Sequence, residues 1–201
     1  MSSEQVRDQA MMPTFDVGTG HLPVGRYSCS PDEARAALVD DPRFKNSQTR
    51  ADIWSNFERY LALFFALEDK YAEDLPVPLL DRVWLGGSYV SAKLDPRNMD
   101  ATLHINQAAK DAIKGRPGAG IFARSRDSVL EEFKLSRLFL NYEPVVHVFR
   151  LNELEESQRN YLAGRGAWDD WWQRCRADGE REGPTLETCP PRRGYLEVVF
   201  E

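Results

Sequence analysis

From Asn98 to Ile105 the chain alternates without a break: Asn98, Asp100, Thr102 and His104 share one parity, and Met99, Ala101, Leu103 and Ile105 the other. A period of two puts each set on its own side of a β-strand, so the segment is predicted to be a strand with one polar and one buried face. Just before it, the apolar stretch Arg82–Leu85 enters Gly86-Gly87-Ser88, which predicts a second strand closed by a turn. Further upstream the period changes. Ile53, Trp54, Phe57, Tyr60, Leu61, Phe64 and Phe65 recur at helical spacing between Asn46 and Asp74, giving one long amphipathic helix whose aromatic stripe is core or, alternatively, a binding groove. Ser30, Pro31 and Glu33 form a capping box with proline at the first helical position, so a short helix begins at Ser30 and ends near Asp40 and Pro42.

Downstream, Val129, Phe133, Leu135, Leu138 and Phe139 predict a helix over 125–142, and "PVVHVFRL" (144–151) predicts a strand. Helical spacing resumes over 153–177 through Leu154, Tyr161, Leu162, Trp168, Trp171 and Trp172, with "AGRGA" expected to divide it in two. "GRPGAG" and the stretch 177–194 are loops, and Tyr195–Phe200 is a closing strand that joins the sheet. Residues 1–20 lack any period and are expected to be a flexible tail. The prediction is an α+β domain over 21–201, with a helical part at 30–75 and a sheet-containing part at 80–201.

Composition narrows the function more than the fold. The 201 residues are 42% hydrophobic and 29% charged, enough for one core. A net charge of -6 argues against a surface that coats nucleic acid, which needs a basic stripe, but leaves room for a local anion pocket. Cys29, Cys175 and Cys189 are odd in number and widely spaced, suggesting neither a disulfide framework nor a zinc site, so a reducing, cytoplasmic setting is expected. No apolar run approaches the roughly 20 residues that span a bilayer, and the N-terminus lacks an export-type pattern. Motifs for an α/β-hydrolase nucleophile, a phosphate loop or a zinc protease are missing from the sequence.

The candidate chemistry lies in "WLGGSYVSAKLDPRNMDATLHI", Trp84–Ile105. Small residues in a Gly-Gly-Ser turn let main-chain donors approach phosphate oxygens, and acidic residues at i and i+2 on a strand stand side by side as ligands for a divalent metal. This stretch resembles the Gly-Ser and Asp-x-Asp signature of the polymerase-beta-like nucleotidyltransferase superfamily. The chain as a whole is similar to a family of small bacterial proteins with that fold, through Leu22-Pro23-x-Gly25, through Gly87, Ser88, Lys93, Asp95, Pro96 and Asp100, and through Arg193-Gly194-Tyr195-Leu196-Glu197-Val198. The resemblance implies a small mixed sheet of nucleotidyltransferase type with helices packed on it and an N-terminal helical segment. It also implies that Gly86, Gly87, Ser88 and Lys93 bind nucleotide, and that Asp100 and Asn98 act as catalytic and metal-binding residues for Mg2+ or Mn2+.

Departures from the signature matter. Asn98 stands where the superfamily places its first metal aspartate, and a neutral amide offers a hard cation no charge. The third carboxylate belongs on a later strand, where "PVVHVFRL" offers His147, with Glu143 just before it.

Each residue has an ordinary alternative. Gly86 and Gly87 can form a plain tight turn, Ser88 a helix N-cap, Lys93 a solvated lysine, and Asp95 a turn before Pro96. His104 and His147 can face one another across adjacent strands or serve structurally. The Trp168, Trp171 and Trp172 cluster makes core, lid or partner surface; Arg192 and Arg193 reach phosphate or blunt a sheet edge.

Two functions follow. One is a nucleotidyltransferase-like protein, degenerate or active, that binds a nucleoside triphosphate with a divalent metal and, if active, moves a nucleoside monophosphate onto a protein, RNA or small molecule. The other is a catalytically inactive scaffold without a metal cofactor that binds a partner protein or nucleotide, for which the resemblance implies a role as a regulator or as one half of a toxin–antitoxin or phage-defence pair.

Overall fold

A computed structural model describes residues 12–176 and 185–200. The expected tail therefore lies mostly outside the described residues, as does part of the 177–194 loop. Five strands form one mixed sheet in the order β1-β5-β2-β3-β4, where β1 is Gly25–Cys29, β2 Leu80–Gly86, β3 Met99–Asn106, β4 Leu135–Tyr142 and β5 Gly194–Val199. β2 runs antiparallel to both β3 and β5, while β3–β4 and β1–β5 are parallel pairs. The architecture is α+β. The final strand is internal, and Gly194 N–H donates to the Leu22 carbonyl at 2.9 Å, so the two ends of the domain close on each other.

The period-two reading of β3 holds. Met99, Ala101, Leu103 and Ile105 are fully buried beneath the long helix α2 (Arg50–Lys70) in a core that includes Val83, Leu85, Leu196 and Val198. Helix α2 starts four residues later than the pattern predicts because 46–49 form its cap: the Ser47 hydroxyl accepts from Arg50 N–H at 3.1 Å, and Asp95 accepts from Gln48 N–H at 2.7 Å. The capping box of α1 (Pro31–Arg35) forms as predicted, with Glu33 N–H on the Ser30 hydroxyl at 3.2 Å.

Three expectations fail for local reasons. The helix predicted over 125–142 is helix α4 (Arg126–Phe133) followed by strand β4; Lys134, at φ +53°, turns the chain out of the helix. Leu135, Leu138 and Phe139 satisfy a helical spacing, yet in the strand they fall on both faces. The segment 144–151 is not a strand: it runs irregularly to a 3-10 turn at Leu151–Glu153. Helix α5 (Glu156–Trp172) is continuous through "AGRGA", because Gly164 gives room to Leu140, whose methyl would sit 2.8 Å from a Cβ there. Residues 12–20 also depart from the expected tail. Asp16 organises a turn with Thr19 N–H at 2.7 Å, Phe15 packs on the core, and Gly20 O accepts from Ala92 N–H at 2.7 Å.

Helix α3 (Gln107–Ala112) follows β3 directly, and α5 crosses the polar side of the sheet. No helix among the described residues is long and apolar enough to cross a membrane.

Candidate functional site: an arginine-rich cavity around Asp100

β2 delivers the chain to Gly86, which pairs with Asp100 across the antiparallel ladder. Gly87 follows at φ +69°, and a Cβ built there would lie 2.2 Å from Asp100 Oδ2. Only glycine satisfies both the left-handed backbone and the carboxylate against it. The connection beyond, 87–93, is clamped by Arg50. This guanidinium, 1% exposed, donates to the carbonyls of Leu38, Tyr89, Ser91 and Lys93 at 2.7–3.2 Å and stacks over Phe44, with no carboxylate among the described residues within ion-pair distance. Burial lowers its pKa to about 10, so it stays charged at neutral pH.

Gly87, Ser88 and Asp100 open onto a cavity of about 570 Å³, within the ordinary range for small-molecule sites. Its other walls come from distant segments: Arg126 at the start of α4, Trp168, Trp171 and Trp172 at the end of α5, Arg174, Cys175 and Arg176 just beyond, and Arg193 before β5. Arg126 donates to the Ser136 hydroxyl at 2.6 Å, and Ser136 is the residue opposite Asp100 on β4. Arg193 donates to the Trp172 carbonyl at 3.0 Å. Arg174 is ion-paired with Asp170. Burial raises the Asp100 pKa, opposed by the Ser136 hydroxyl and by the Arg126 and Arg193 charges. Burial lowers that of Arg193, with Cys175 and Asp100 opposing. His21, at the edge, is lowered by burial and by Arg193 and stays neutral at pH 7.

The predicted residues divide. Gly87, Ser88 and Asp100 come together in the cavity. Asn98 does not line it, but donates its amide to Asp100 Oδ1 at 3.3 Å. Gly86 is covered: a Cβ there would meet the Trp172 ring at 2.5 Å, so its lack of a side chain serves packing. Thr102 is capped by the same indole, whose Nε1–H donates to it at 3.0 Å. Lys93 is exposed and outside the cavity; its carbonyl is what matters, held by Arg50. Arg193 reaches the cavity whereas Arg192 does not; Arg192 bonds to the Glu187 carbonyl. His147 sits in the irregular segment and not on a strand beside β3, so the His104–His147 pairing across neighbouring strands is not formed.

Sequence reasoning missed Arg126, Ser136, Arg174 and Arg176. Arg126 left a faint signal: an arginine in the first turn of a helix opposes the macrodipole, so it needs another reason to be there.

The donor set around Asp100 does not fit Mg2+ or Mn2+. One carboxylate, an amide aimed at it, a hydroxyl at the facing position on β4 and two guanidiniums nearby repel a hard cation more than they hold it. Among the described residues no group of three His, Cys, Asp or Glu side chains stands close enough to share an ion. What the arrangement suits is a compact polyanion beside an aromatic surface, since guanidinium forks and main-chain donors both match phosphate oxygens. No curated protein and no solved structure matches the chain. Residues 13–198 do match a family model described as a family of unknown function (DUF6932), and the chain belongs to that family.

Proposed function

We propose that this protein binds a nucleoside triphosphate in the cavity around Asp100 without a divalent metal and without transferring the nucleotide. The carrying observation is that Arg126, Arg174, Arg176 and Arg193 converge with the Gly87–Ser88 turn on a cavity where, among the described residues, Asp100 is the single carboxylate. Guanidiniums take the neutralising role that metal ions play in nucleotidyl transfer. Trp168 and Trp172 stack at 6.0 Å between centroids, and Trp171, 37% exposed, adds an edge on which a base can rest. The resemblance supports the same reading, since the Gly-Ser turn and Asp100 stand together at one end of an antiparallel strand pair. Its catalytic part is not carried over, because Asn98 and Ser136 occupy positions where charge would be needed.

The test is thermal shift and calorimetry with ATP, GTP, CTP and UTP, each with EDTA and with Mg2+ or Mn2+. The proposal expects at least one triphosphate to stabilise the fold in EDTA, with a salt dependence that reflects phosphate contacts, and no nucleotide turnover with metal present. Stabilisation that appears only with metal would restore the enzyme reading; no shift under any condition would leave the partner-binding scaffold.

A further inference from the structure

The same sheet face holds a second cavity, separated from the first by the Trp84–Thr102–Trp172 wall. It encloses about 170 Å³, roughly ten times the ~10–15 Å³ that one water needs. At its base is His104, 1% exposed, edge-on to Trp84 at 4.3 Å, with both ring nitrogens lacking a hydrogen-bond partner. A buried polar ring without partners loses several kcal/mol of solvation in principle, so something that hydrogen-bonds it is expected to fill the space. The ring is neutral, because burial and the Arg82, Arg165 and Arg26 charges lower its pKa to about 3. It therefore offers one donor and one acceptor.

The charges around it are sorted. Glu197 is already committed, accepting from Trp84 Nε1 at 2.9 Å and from Arg82 at 3.2 Å. Arg165 and Glu143 line the same cavity, and neither side chain makes a hydrogen bond or ion pair with another described residue. A free cation and a free anion that do not pair with each other, in one pocket with a neutral histidine, complement a ligand bearing both signs. The remaining wall is aliphatic at Val145, Val148 and Leu162, with the Tyr142 and Tyr161 rings, edge to face at 5.3 Å, beside them.

We propose that this cavity binds a small free α-amino acid: its carboxylate on Arg165, its ammonium on Glu143, a polar atom on the His104 ring and its side chain against the aliphatic wall. This site does not depend on nucleotide binding in the neighbouring cavity.

The chain has three histidines, so ring resonances report the site directly. Titrating L-alanine and L-valine into the full chain, followed by 1H–15N ring spectra, is expected to move the His104 signals saturably. Dissociation constants should lie at least tenfold below those of acetate or methylammonium at matched ionic strength. Arg165→Met and Glu143→Gln should each erase that tenfold advantage while keeping the wild-type melting temperature. His104 signals that ignore both amino acids would overturn the proposal. Acetate binding as tightly as alanine, or alanine binding unchanged in Arg165→Met, would do the same.

Discussion

Beneath α2, Val83, Leu85, Ala101, Leu103 and Ile105 make a face with no exposure at all, closed by aromatic contacts such as Tyr60–Phe64 at 5.5 Å. Beneath α5, the same strands present Asp100, Thr102 and His104 with Trp84, Arg82 and Glu197, and that face holds two cavities, an orphaned imidazole and a surplus of arginine. Both faces are buried, but only one is filled. The difference teaches that burial by itself does not mark a core: the α2 side meets the sheet with apolar side chains, whereas the α5 side leaves both His104 nitrogens without partners and open space beside them.

The sharpest way to break the comparison is to remove what joins its halves. Arg50→Met would strand four carbonyls, three of them buried, and release the 87–93 connection beside the arginine-rich cavity. A loss of about 3–5 kcal/mol is expected, read as a fall in the denaturation midpoint or as insoluble protein. Gly87→Ala comes next. Its Cβ would collide with the Asp100 carboxylate in a left-handed backbone, costing ~1–3 kcal/mol by urea unfolding and eliminating triphosphate binding. A matched change on the filled face, Leu103→Ala, should cost ~2–5 kcal/mol and leave Kd for the nucleotide within about threefold, provided the variant is assayed well below its Tm.

Smaller in stability but specific in function, Arg193→Met should raise the triphosphate Kd at least tenfold, about 1.4 kcal/mol, with little change in Tm. The finest distinction is in pH. His104 has a folded pKa near 3 against an unfolded value near 6.5, so the unfolded chain binds the extra proton between those values. Its contribution to stability is complete above pH 6.5 and is lost as pH falls toward 3. His104→Gln should flatten that part of the stability profile relative to wild type.

How far the sequence anticipated this depends on the range of the interaction. Asp100, Gly87 and Ser88 were legible because strand alternation and glycine turns are local, and the antiparallel ladder brings Gly86 opposite Asp100 with few residues between. Arg126, Arg174 and Arg176 enter the same cavity from segments far along the chain, and no period announces them, whereas Arg193 stood out beside the closing strand. β4 was misread because Leu135, Leu138 and Phe139 fit a helix, and the positive φ of Lys134 that ends α4 has no hydrophobic signature. His147 was assigned to a strand on composition alone; the exposed Val146 and Phe149 beside it are β-formers in a segment that joins no ladder.

Asp100→Asn decides between a metal site and an arginine-bound polyanion. Asp100 has a raised pKa, so the neutral side chain is the form the fold prefers; its contribution is present below the unfolded value near 3.8 and lost as pH rises through the folded one, and the amide should cost little stability at pH 7. Isothermal calorimetry of ATP, GTP, CTP and UTP in EDTA is the direct measurement. The account predicts that Asp100→Asn binds the preferred triphosphate as tightly as wild type or up to about tenfold tighter, since one negative charge has left a cavity of guanidiniums. A wild type that binds only with Mg2+ or Mn2+, and an Asp100→Asn variant that no longer binds at all, would contradict it.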